Sequence, residues 1–166
     1  MATISITEGK TAEVNTTDTL LYPEINSCLS ITAVFADGKR VGGHAVFFLG
    51  TGQMNLQEIC NYILQRKSNS THLYIVGDTG TWDGNWKDND QTKNLRINNV
   101  DVKSVAGIGP AMGYSAAQST VYDTYNCDKN GSTYDIYFGF KSGKRVYWAL
   151  DRKTQKECAA MGNPSW

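Results

Sequence analysis

The sequence predicts an α+β fold, a β-rich, sandwich-like core of mixed sheets with one main helix. Three observations carry that prediction. Charged residues are only 19% of the 166, while glycine, serine, threonine, asparagine and tyrosine are plentiful, a mix that suits strands joined by many turns. Short alternating or β-branched runs recur between turn-forming clusters. A single stretch, residues 56–66, has the spacing of an amphipathic helix. The length suits one domain, residues 1–166, large enough to bury a substantial core.

In chain order, residues 2–7 and 10–16 alternate weakly and read as strands around Glu8-Gly9. Residues 17–27 read as a connection, because Pro23 forces an extended or turning path. Residues 28–35 and 40–48 are rich in alternating and β-branched types and read as a hairpin. Gly50-Thr51-Gly52 ends it. Asn55 followed three residues on by Glu58 is a capping-box signature, and Leu56, Ile59, Cys60, Ile63 and Leu64 then define the apolar stripe of a helix. His72–Val76 is a short apolar strand ended by Gly77. Residues 78–94 form a polar, turn-rich loop in which Trp82 and Trp86 either tuck against the body or mark a partner-binding surface. The remainder reads as strands at 95–98, 101–106, 118–126, 132–140 and 144–150, with turns at Asn98-Asn99, Lys129–Gly131 and Ser142–Lys144. The aromatic residues between Tyr122 and Trp148 are expected to pack across strands.

Several function classes are disfavoured. The 16 basic and 16 acidic residues balance, so there is no electrostatic footprint for nucleic acid or anionic membrane. No apolar run is long enough for a transmembrane helix, and the N-terminus shows no Sec-type signal. The acidic residues of 78–94 do not follow the EF-hand order. Gly107-Ile108-Gly109-Pro110 is no nucleotide loop. The four cysteines show no metal-ligand spacing; Cys60 falls on the helix stripe. A Cys127–Cys158 bridge is possible, although a reduced chain is the default expectation.

The hairpin carries the chemistry. If Ala36-Asp37-Gly38 form a three-residue loop, Ala33 faces Val41, Ile31 faces Gly43 and Leu29 faces Ala45. One face then collects Leu29, Ile31, Ala33, Phe35, Val41, Ala45 and Phe47. Cys28 and His44 share the other face as diagonal neighbours, about 7–8 Å apart at the backbone. A two-residue turn would put them on opposite faces. A thiol attacks an amide only as thiolate, and an adjacent imidazole supplies the base. Backbone N–H groups at Ser27 and Cys28 are candidate oxyanion donors. Gly42 and Gly43 would keep the approach to the thiol open.

Asn26-Ser27-Cys28 followed by Gly43-His44, with a strand and turn between, resembles the cysteine-histidine glutamine deamidases. These include chemoreceptor deamidases and the catalytic domains of cytotoxic necrotizing factors and lethal-factor-like toxins. The similarity covers roughly residues 17–78, including the helix and the strand ending in Gly77. It implies a hydrolase that converts glutamine to glutamate in a protein substrate. Cys28 would be nucleophile, His44 general base and then acid, and Asn26, Ser27 and Thr19 the positioning residues. No metal or organic cofactor is implied. The substrate approach would involve Gly42, Gly43, Trp82 and Trp86. Some relatives orient the histidine with a threonine six residues before the cysteine, where this chain has Tyr22; necrotizing factors use a main-chain carbonyl. The chain also has Ser27 where a glycine is usual. The resemblance places a monomeric protein in the bacterial cytoplasm or among translocated effectors and toxins.

Two other readings compete. Papain-like peptidases and NlpC-type amidases place the cysteine at a helix N-terminus, and Leu29–Val34 is a poor helix. A non-catalytic binding module of antitoxin or adaptor type would use the Trp82/Trp86 loop.

Overall fold

The computed structural model describes all of Met1–Trp166. Its strands are β1 (Thr3–Ser5), β2 (Thr11–Val14), β3 (Thr19–Ile25), β4 (Leu29–Phe35), β5 (Arg40–Ala45), β6 (Ser70–Gly77), β7 (Arg96–Ile97), β8 (Val100–Asp101), β9 (Ser119–Asp123), β10 (Tyr134–Lys141) and β11 (Lys144–Asp151). The helices are α1 (Leu56–Arg66), α2 (Thr79–Gly84) and the single turn α3 (Ile108–Ala111). One mixed sheet has the order β1-β3-β10-β11, a second β2-β5-β4-β6-β9, and β7-β8 form a small hairpin. This is the expected α+β architecture, with α1 as its one long helix.

The five-stranded sheet is buried on both faces because its central strands alternate two apolar sets. Leu29, Ile31, Ala33, Phe35, Val41 and Ala45 join Leu56, Ile59, Cys60 and Ile63 of α1 in one core. Cys28, Val34, Val46, Tyr74 and Val76 join Leu20, Tyr22, Ile136, Phe138 and Tyr147 from the four-stranded sheet in the other. The layers are therefore sheet, sheet and helix, and the thiol lies in the seam between the sheets. The helix begins where expected: Asn55 Oδ1 accepts from the Glu58 N–H, and Glu58 Oε1 accepts from the Asn55 N–H, satisfying two otherwise unpaired donors.

Four expectations need correction. Within residues 78–94, expected as a loop, Thr79–Gly84 form α2, with Asp78 Oδ1 accepting from the Thr81 N–H at its start. Residues 17–27 are no mere connection, since Thr19–Ile25 form β3 between β1 and β10. Pro23 is tolerated because the register shifts between Tyr134↔Ile25 and Ile136↔Tyr22. That bulge, with Glu24 at φ 61°, removes the need for a ladder N–H at the proline. The strand expected over 101–106 is short, because Ser104 Oγ accepts from the Gly107 N–H and turns the chain into a 3₁₀ segment at Val105–Gly107 and then α3. The reduced state does not hold for all four cysteines: Cys127 and Cys158 form a disulfide with Cα atoms 5.4 Å apart, leaving Cys28 and Cys60 free. The bridge ties the turn after β9 to the segment after β11, where the Cys158 N–H donates to Ala149 O.

The aromatic residues of β10 and β11 pack as expected. Phe138 stacks on Tyr147 at 5.0 Å and Tyr137 on Trp148 at 5.1 Å between ring centres. No helix is long and apolar enough to cross a membrane.

Candidate active site

The hairpin closes through Ala36-Asp37-Gly38. Phe35 N–H donates to Lys39 O, Gly38 N–H to Phe35 O, and Gly38 takes φ 96°, a left-handed conformation that glycine adopts without steric cost. The register is Leu29↔Ala45, Ser30↔His44, Ile31↔Gly43 and Ala33↔Val41. That is the pairing that puts Cys28 and His44 on one face. Cys28 Sγ, a ring nitrogen of His44 and a carboxylate oxygen of Glu8 all lie within 4.8 Å of one another.

The N-terminal segment locks the histidine from three sides. Its N–H donates to Lys10 O at 3.0 Å, and its carbonyl accepts from the Gly9 N–H at 2.8 Å. Its ring Nδ1 lies 2.9 Å from Ile6 O. A carbonyl only accepts, so Nδ1 carries the proton and Nε2 presents its lone pair. Nε2 is buried and has no hydrogen-bond partner. Ile6 is itself anchored, since its N–H donates to Leu21 O of β3 at 2.8 Å. Tyr22 packs edge-on against the imidazole at 6.1 Å, and its hydroxyl contacts Thr32 Oγ1 at 2.6 Å and Ile31 O at 3.1 Å. Tyr22 thus gives the ring an aromatic wall, and the Ile6 carbonyl orients it.

Burial sets the protonation states. It pushes the Cys28 thiol up to about 11; the neighbouring Glu8 and Asp78 carboxylates add to the rise, and the backbone N–H groups of Asn26 and Phe47 oppose it. Burial also holds His44 below the usual imidazole range, against the Ile6 hydrogen bond. The resting pair is therefore neutral thiol and neutral imidazole, not thiolate and imidazolium.

The other expected site residues separate into groups. Ser27 belongs to the thiol loop: its carbonyl accepts from Trp82 Nε1 at 2.8 Å. Asn26 turns its side chain away to Thr133 Oγ1 at 2.8 Å, leaving only its backbone at the sulfur. Thr19 is a correction: it starts β3, where its N–H donates to Ala2 O and its side chain packs beside Gly139. Gly42 and Gly43 serve packing rather than an open approach. A β-carbon at Gly42 would strike the Tyr22 hydroxyl and one at Gly43 would strike Ile59 of α1. Trp82 and Trp86 are buried and form no approach surface. Trp82 supports the loop before Cys28, and Trp86 Nε1 donates to Val102 O at 2.9 Å.

Three residues that border Cys28 and His44 or the segment beside them had no signal as site residues. Ile6 contributes only its carbonyl. Glu8 looks like half of a Glu-Gly turn. Gln91 bridges through its amide, donating to Val46 O and Phe47 O and accepting from the Leu56 N–H, and so fixes the segment that faces the thiol. Beside that segment, Phe47, Phe48, Leu49, Asn89, Asp90 and Gln91 line an open depression of about 460 Å³, with Phe48 79% exposed.

No protein-family model matches this chain, and no curated protein does. Among solved structures, the crystal structure of the C-terminal domain of CNFy from Yersinia pseudotuberculosis is similar. Its TM-score is 0.41 and its sequence identity 9%, over 89% of this chain and 55% of that one. This chain thus spans about half the length of that structure.

Proposed function

We propose that this protein hydrolyses the side-chain amide of a protein-bound glutamine, with Cys28 as nucleophile and His44 as general base and then acid. The observation that carries this reading is the convergence of Cys28, His44 and the Ile6 carbonyl. The carbonyl fixes the tautomer that leaves Nε2 able to take a proton, and Nε2 has no structural partner.

Starting from the neutral pair, His44 takes the thiol proton as sulfur bonds to the amide carbon. The oxyanion forms where backbone N–H groups at Asn26, Cys28 and Phe47 can donate. His44 then protonates the departing nitrogen, ammonia leaves and a thioester remains. Water attacks the thioester with His44 again as base, giving glutamate and restoring the thiol. The exposed rim of Phe48 and Leu49 supplies apolar surface on which a protein substrate can seat.

Two competing readings lose their footing. Cys28 precedes a strand, not a helix of the papain or NlpC kind, and the buried Trp82 and Trp86 leave a tryptophan-based docking module without its surface. The test is to incubate wild type, Cys28→Ser and His44→Gln with unfolded casein, mapping glutamine-to-glutamate conversion by mass spectrometry and measuring ammonia. Conversion by wild type alone supports the reading. Identical profiles for all three proteins, across a panel of folded and unfolded substrates, refute it.

A further inference from the structure

We propose that Glu8, Cys28 and His44 form a zinc site that, when loaded, holds the nucleophile in a metal-bound, inactive state. That it inhibits rests on Cys28 being the nucleophile; that it binds rests on the geometry alone. A thiol, an imidazole nitrogen and a carboxylate within 4.8 Å of one another are three donor types that zinc accepts. Around a tetrahedral zinc such donors sit about 3–4 Å apart. The closure required is small, and the exposed Glu8 side chain is free to make it.

The second observation is the histidine. A zinc-bound imidazole ordinarily donates its other N–H to a carbonyl or carboxylate, and His44 Nδ1 already lies 2.9 Å from Ile6 O. Nε2, the nitrogen left for a metal, is buried without a hydrogen-bond partner, so coordination would satisfy a polar atom that the fold leaves unpaired. The cluster is also acidic: Glu8 and Asp78 both act on the thiol, and their charge favours a dication. Glu8 lies on the solvent side and gives the metal a way in. The balance is simple. Zinc takes the sulfur lone pair as the S–H bond breaks, one proton goes to solvent, and nothing is oxidised. The fourth position is left to water, as in sites with three protein ligands. Neither the other free thiol nor the other imidazole competes: Cys60 is fully buried in the other core, and His72 Nε2 is paired with Thr120.

The test uses the full chain with its disulfide intact, stripped of metal and titrated with Zn²⁺ against a chromogenic chelator. A parallel titration with Co²⁺ reports sulfur ligation by its charge-transfer band. Wild type should bind one equivalent, release a proton and show the band. Cys28→Ser should lose the band, and His44→Gln and Glu8→Gln should each weaken zinc binding by about tenfold or more, the least that disturbing even a supporting shell costs. Because Glu8 is exposed, Glu8→Gln keeps the fold and isolates ligation from stability. Equal zinc affinity in wild type and Cys28→Ser, or no change on Glu8→Gln, would overturn the site. Amide hydrolysis by the metal-free protein is scored separately. Hydrolysis without zinc binding sinks the metal site alone, and zinc binding without hydrolysis sinks the catalytic reading and the inhibitory role with it, leaving the binding site standing.

Discussion

Alkylation of Cys28 by iodoacetamide should be slow near neutral pH and climb steadily into the alkaline range. The thiol moves from an ordinary value of 9.0 to about 11, so the thiolate is about 100-fold scarcer at pH 7 than in a free cysteine, equivalent to about 3 kcal/mol. Reaction requires thiolate, so the rate should lag an unstructured cysteine peptide by at least that factor. It should rise about tenfold per pH unit until roughly pH 10–11. The assay is pseudo-first-order labelling across pH, read by peptide mapping that separates Cys28 from Cys60, whose thiol is pushed up to about 12 by burial. Without reductant the disulfide removes Cys127 and Cys158 from the count. Glu8→Gln takes away one of the charges that raise the thiol, so its profile should move to lower pH. A plateau reached below about pH 8 would show a thiolate–imidazolium pair and refute the neutral resting state.

Other expectations follow from the same geometry. Stability should fall as pH drops below about 6.5: His44 is held below that value when folded, so the unfolded chain takes the proton first and the stabilisation present above that pH is lost. His44→Gln should flatten that limb of a pH-dependent urea melt, and an unchanged slope would count against the buried neutral imidazole. Gly43→Ala should cost about 1–3 kcal/mol by driving a methyl into Ile59, and the Gly43→Ala/Ile59→Ala pair should lose less than the sum; strict additivity would deny the contact. Trp82→Phe should cost about 1 kcal/mol through the bond lost at Ser27 and lower amide hydrolysis more than Trp86→Phe does, read as kcat against KM. Reducing Cys127–Cys158, which closes a loop of 31 residues, should cost about 4 kcal/mol on the chain-entropy account, visible as a lower Tm.

The pairing of Cys28 with His44 was legible because seven apolar residues of one hairpin could occupy one face in only one register. The helix was legible because Asn55 and Glu58 mark its start and Leu56, Ile59, Cys60 and Ile63 its buried side. Strand β3 was obscured by Pro23, which a regular central strand cannot hold; only the bulge at Glu24 reconciles the two, and a bulge is set by the partner strand. The glycines were visible, but their reason was misplaced, since a missing side chain looks the same whether it makes room for substrate, for Tyr22 or for Ile59. The tryptophans sat in polar surroundings, yet each finds a carbonyl for its N–H and buries its rings. Glu8 and Gln91 belong to the site through tertiary contacts with residues far along the chain, which local pattern does not carry.

The hold of Ile6 on the imidazole has a consequence for how such sites can be discovered. Every residue type offers the same carbonyl, so what selection can act on at position 6 is an apolar side chain that seats the segment between the sheets. Side-chain replacement would register Ile6 as a packing residue. An alanine scan would count two members of the proposed machinery where the geometry brings together three. The missing one answers to editing of the main chain itself: an ester in place of the amide that follows Ile6 weakens that carbonyl as an acceptor while leaving every side chain as it was.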